Sequence, residues 1–195
     1  MSSKGKRWSL RGLFQRRPET REVAAAQVTD KYSEYPSDGL TPVRLAEIFK
    51  EADAGDVLRQ AELFEEMEEK DTHLFSQMQT RKLAVTGLDW EVQPFSEDEI
   101  DKEIADFIDE QLKGIENFDE VLIDMLDAIG KGISIMELAW TVEDGRNVIE
   151  DIEYVHPKKL VWDSTTDELK VCTREYPSGV ELPENKFVVH KYKAK

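Results

Sequence analysis

One cysteine in 195 residues, Cys172, rules out an internal disulfide. The chain is therefore not a disulfide-stapled secreted scaffold, and it suits a reducing cytoplasm. Cys172 stands in the strand-like run LKVCTREY, where a half-buried, inert thiol is expected rather than a nucleophile. No segment approaches the roughly 20 consecutive apolar residues that span a bilayer, and the N-terminus lacks the apolar run of a secretory signal. The three histidines, His73, His156 and His190, are far apart and form neither HExxH nor another ligand spacing. There is no Walker lysine loop, no GxGxxG and no GxSxG, and the glycines fall where caps and turns need them. The expectation is a chain with no catalytic residue, no metal and no cofactor.

What the chain has in excess is acid. Its 42 acidic and 26 basic residues give a net charge of −16, and the imbalance is unevenly placed. The first 22 residues carry net +5 and the remainder −21. A body of that sign repels a phosphate backbone, which argues against conventional nucleic-acid binding by the folded part. The basic arm MSSKGKRWSLRGLFQRRPETREV interleaves Lys4, Lys6, Arg7, Arg11, Arg16 and Arg17 with Trp8, Leu10, Leu13 and Phe14. Such a segment can touch anionic lipid, touch nucleic acid, or stay loosely ordered until a partner orders it, and the third reading is preferred. Lys4, Lys6, Arg7, Trp8, Arg11, Arg16 and Arg17 are the candidate contacts to a neighbouring subunit or partner. Residues 32–39, YSEYPSDG, read as a linker, so 1–39 forms an arm and linker and 40–195 the folded part.

From Leu40 the signals are helical. Thr41 can cap a helix starting at Pro42, with Leu45, Ile48, Phe49 and Ala52 on one face and Gly55 at its end. A second helix after Asp56 carries Ala61, Phe64 and Met67, and Asp71 caps a third bearing Leu74, Phe75, Met78 and Val85. After Gly87 the period changes to two, placing Leu88, Trp90 and Val92 on one side of a predicted strand. Ser96 with Glu99, then Asn117 with Glu120, make capping boxes for two more amphipathic helices. The acidic run Glu65, Glu66, Glu68 and Glu69 is expected on a solvated helix surface, since in-helix neighbours cannot all face one ion.

The remainder reads as strands. GISIMELAWTV aligns Met136, Leu138, Trp140 and Val142 on one side, and EDGRN supplies the Asp-Gly turn of a hairpin. Short strands are predicted over 160–162, 169–176 and 187–190. Trp90, Trp140 and Trp162 are expected to pack against helices rather than stack on bases. The fold class is α+β, with N-terminal helices packed on a small, mostly antiparallel sheet.

The wording LTPVRLAEIFKEADAGD, EEMEEKDTHLFSQMQTRKLAVTGLDWEV, WTVEDGRNVIEDIEYVHPKKLVWD and LPENKFVVHKYKAK resembles the Mu-like family of tailed-phage portal proteins, over about Leu40 to His190. The resemblance implies a wing-like α+β fold in which Leu45, Ile48, Leu74, Met78, Leu88, Trp90 and Trp140 are core positions. It implies a virion structural protein and not an enzyme, forming a dodecameric ring at one capsid vertex. Double-stranded DNA would pass through without sequence specificity, and the implied partners are the packaging terminase, capsid and neck proteins, with no membrane. Subunits of that family continue into channel-lining helices, so the chain is expected to be part of a longer protein, monomeric or weakly associated by itself. The competing reading is a stand-alone acidic interaction module, a prophage-derived adaptor whose apolar helix faces bind a partner helix. A metal-dependent enzyme ranks behind both.

Overall fold

The structure, a computed structural model, describes residues 23–24, 35–166 and 168–192. Helix α1 (Pro42–Asp53) starts where the sequence places it: Pro42 takes the first helical position and the Thr41 hydroxyl accepts from the Arg44 N–H at 3.2 Å. Gly55, at φ 104°, turns the chain after it. A β-carbon there would lie 2.3 Å from the carbonyl oxygen of Trp162, so the close approach requires glycine. Helices α2 (Leu58–Lys70) and α3 (Thr72–Thr86) follow, separated by Asp71, whose carboxylate accepts from the N–H groups of His73 and Leu74 at 2.9 and 3.0 Å. Then come α4 (Glu99–Gly114), α5 (Phe118–Met125) and the single turn α6 (Ala128–Lys131).

Strand β1 (Ile133–Glu143) is the centre of an antiparallel sheet, flanked by β2 (Arg146–Val155) and by the last strand, Phe187–Lys191. Asp144 and Gly145, at φ 48° and 78°, supply the left-handed pair that closes the β1–β2 hairpin. A 3-10 turn, Pro157–Lys159, leads into a second antiparallel sheet of β3 (Leu160–Trp162), β4 (Leu169–Val171) and β5 (Val180–Glu181), which makes the last strand β6. The bridge Asp56–Val161 ties this sheet to the chain after α1. The first six residues of β1 are all buried, which a strand achieves only when both of its faces are covered. Ile133 and Ile135 join Ala24, Val155, Leu160 and Val171 in one apolar cluster, while α5 and α6 pack on the same sheet. The α+β architecture is therefore the one the sequence indicates.

Several expectations need correction. Residues 88–94 form no ladder with any described strand: alternation makes the segment strand-competent, but a strand also needs a neighbour's N–H and C=O groups beside it. In consequence Leu88 and Trp90 are not core residues; they are 66% and 38% exposed, and the Trp90 ring stands edge-to-face with Phe118 at 5.3 Å. Ser96 does not cap α4: its hydroxyl donates to Asp101 and accepts from Asp98, which itself takes the cap position. Asn117 does stand at the cap of α5, but at φ 60° and without a side-chain cap bond.

Candidate functional site

Of the seven predicted contact residues in the arm, Lys4, Lys6, Arg7, Trp8, Arg11, Arg16 and Arg17, all lie outside the described residues. The core positions do not converge on one place. Ile48 and Met78 are buried, Leu45, Leu74 and Trp140 are half-buried, and the Trp140 indole N–H donates to the carbonyl of Asn185 at 2.7 Å. The groups with unusual environments lie elsewhere, and each builds a polar anchor.

The first anchor is on β1. Glu137, 1% exposed, accepts from two successive backbone amides: Val23 N–H on Oε1, and Ala24 N–H on Oε2 at 2.7 Å. The Lys159 ammonium donates to the carbonyl of Ala24 at 2.6 Å, and Lys186 lies 3.5 Å from the Glu137 carboxylate while donating to the carbonyl of Leu138. Three buried charges thus converge beside two residues of the N-terminal segment. Buried charges are tolerated only with partners, and hydrogen bonds to charged groups contribute about 1.5–3 kcal/mol each. Burial lowers the affinity of Lys159 for its proton, opposed by the Glu137 charge. Ala24, 1% exposed, plugs the apolar cluster between the two sheets.

The second anchor holds the linker. Glu66 is 2% exposed and not on a solvated face; it accepts from the Ser37 N–H at 2.8 Å and the Ser37 hydroxyl at 2.5 Å, and it pairs with Lys70. Burial pushes the Glu66 carboxyl up, but the Lys70 and Ser37 bonds outweigh it and hold it below the usual carboxylate range. Lys70 sits 3.7 Å over the Tyr35 ring.

The third joins helices to sheet. Lys82 on α3 is buried and pairs with Asp127 and, at 3.2 Å, with Glu68; Asp127 also pairs with Lys131 at 2.8 Å and accepts from the Tyr154 hydroxyl at 3.1 Å. Burial raises the Asp127 pKa less than Lys131 and Lys82 lower it, so it stays below the ordinary value. Neighbouring Asp124 is pushed the other way, by burial and then by the Asp127 charge. Glu65 of the same acidic run pairs with His156 at 2.7 Å. Among the described residues no group of three potential metal ligands stands together, and no helix is long and apolar enough to cross a membrane.

Several large apolar side chains are exposed on the described surface. Phe95 is 97% exposed; Phe75 is exposed in the first turn of α3, and Leu83, Val85 and Leu88 are exposed along its end and just beyond it. On α4 only Ala105 is buried, although Ile100, Ile104, Phe107, Ile108 and Leu112 line one face.

A family model described as the portal protein of Mu bacteriophage matches residues 61–195. The chain belongs to the Mu phage portal protein family. It is 33% identical over 179 residues to the portal protein of Escherichia phage Mu, covering 91% of this chain and 35% of that protein. It is 36% identical over 172 residues to the Mu-like prophage FluMu protein gp29 of Haemophilus influenzae, covering 84% of this chain and 32% of that one. The chain thus spans about a third of the length of these portal-family relatives. The portal match contains Glu66, Lys82, Asp127, Glu137, Lys159 and Lys186, whereas Val23–Ala24 and Ser37, which two of the anchors hold, precede it.

Missed in the sequence were the buried charges. Glu137 follows Ile133 and Ile135 at a spacing of two, so a carboxylate sits in phase with core residues; Lys82 likewise falls four residues after Met78 on one helix stripe. Those were readable signals. Lys186, in a loop before β6, had none.

Proposed function

We propose that the chain is the wing-bearing part of a portal subunit, a structural element of a dodecameric ring at the capsid vertex that serves as conduit for double-stranded DNA in packaging and ejection and as a platform for head–tail joining. In the same reading the packaging terminase, capsid and neck proteins are its partners, in the virion and in the host cytoplasm during assembly. The observation that carries it is the family match over 61–195. Two physical features support it. Exposed apolar residues on α3, α4 and the stretch between them suit burial against neighbouring copies. The net charge of −16 suits a surface past which DNA slides, because few cations are available to hold phosphates.

The test is direct imaging. Electron microscopy and sedimentation of the intact gene product should give closed rings of twelve copies, and anisotropy with duplex DNA at physiological salt should show no sequence preference. A monomer that stays dispersed at tens of micromolar would overturn the ring, and a defined DNA motif would overturn the conduit.

A further inference from the structure

The polar groups of the slot around Glu137 bond backbone and not side chains. Its two carboxylate oxygens take the N–H groups of Val23 and Ala24, Lys159 takes the carbonyl of Ala24, and the two side chains add apolar packing, Ala24 at 1% exposure and Val23 partly buried against the same cluster. Every group that makes the slot belongs to β1, the 3-10 turn or the loop before β6. It has no means of telling which copy of the chain supplies the dipeptide. The next described residue, Tyr35, lies under the Lys70 ammonium that pairs with Glu66, so eleven residue steps separate the two attachment points. Eleven steps reach at most about 36–40 Å, as wide as a compact body of this size, whose radius of gyration is roughly 15 Å. The 22 residues ahead of the dipeptide carry net +5 and the rest −21, so the arm of one copy is attracted to the body of the next.

We propose that in the assembled state the slot formed by Glu137, Lys159 and Lys186 holds Val23–Ala24 of a second copy of this chain, so that successive subunits are strapped together through their N-terminal segments. This rests on the ring reading above. Exchange keeps every contact of the slot and converts each into a link between copies; in a closed ring no slot and no segment is left over.

The test uses the intact protein in two populations with different tags, one carrying a diazirine-bearing aliphatic residue in place of Val23, co-assembled at equal amounts and irradiated. Peptide mapping should find position 23 of one tag joined to β1 or the 3-10 turn of the other in about half of the products, the share random mixing of exchanged copies gives. Glu137→Gln, which keeps the shape and loses the charge, should lower the yield of these products several-fold. Rings that form with products confined within single chains, or with none at the slot, would overturn the strap and leave the ring standing. Failure to form rings at all would overturn the ring reading instead.

Discussion

At the scale of single residues, exposure separates positions that look alike in the sequence. Trp90 lies in a hydrophobic alternation, yet it is 38% exposed and its ring rests edge-on against Phe118. An aromatic pair of this kind contributes about 0.5–1.5 kcal/mol beyond area. Ile135 is fully buried in the cluster that joins the sheets. Urea unfolding should therefore show Trp90→Ala within about 1.5 kcal/mol of the parent, and Ile135→Ala weaker by about 2–5 kcal/mol. Equal losses would mean that 88–94 is buried in the isolated chain. Gly55 adds a backbone case: at φ 104° and with the Trp162 carbonyl in the way, Gly55→Ala should cost about 2–4 kcal/mol, whereas Gly145→Ala in the open hairpin turn should cost only about 1–2 kcal/mol.

At the scale of elements, α3, α6 and strand β2 meet at Asp127 and the linker is tied to α2 at Glu66, carboxylates whose proton affinity the fold has lowered. Asp127 and Glu66 both titrate below their unfolded values, so the unfolded chain binds protons that the folded chain does not. Stability from these two groups is complete above the unfolded carboxylate range, about 3.9–4.3, and is lost as pH falls through their lower folded values. Asp124 has the opposite sign: its raised folded pKa costs stability above that value and relieves the cost in acid. Urea midpoints followed from pH 7 to pH 3 should fall, and Lys82→Met should flatten the part due to Asp127. A midpoint that rises into acid would show that Asp124 dominates. Much of this level was readable in the sequence: Thr41 with Pro42, Asp71 and Asp144-Gly145 act through neighbours a few residues away, so local chemistry suffices to place α1, α3 and the β1–β2 hairpin. What local chemistry cannot supply is a partner distant in the chain. Glu66 reaches Ser37 across 29 residues, Lys82 reaches Asp127 across 45, and Glu137 reaches Ala24 across 113, separations at which no local pattern marks the pair. The 88–94 segment fails in the converse way, having strand chemistry but no strand beside it.

For the whole molecule, charge and the Glu137 slot make separable contributions to association. Replacing Met1–Glu22 by a single Met removes net +5 and leaves Val23–Ala24 in place. Arm and body attract across solvent, with a Debye length of about 8 Å at physiological salt, so this deletion should weaken association at low salt and matter little at high salt. It should not change the unfolding midpoint, because the slot keeps its occupant. Replacing Met1–Ala26 by a single Met also removes the two amides that Glu137 accepts from and the carbonyl that Lys159 donates to, leaving charges buried without those partners. That loss should cost about 2–5 kcal/mol at any ionic strength. Sedimentation at low and high salt, paired with urea unfolding of both deletions, distinguishes the two. If the longer deletion is as stable as the shorter, the slot is an incidental contact; if the shorter one associates as well as the parent at low salt, the +5 arm plays no part in assembly, which is then left to the Glu137 slot and the apolar faces of α3 and α4.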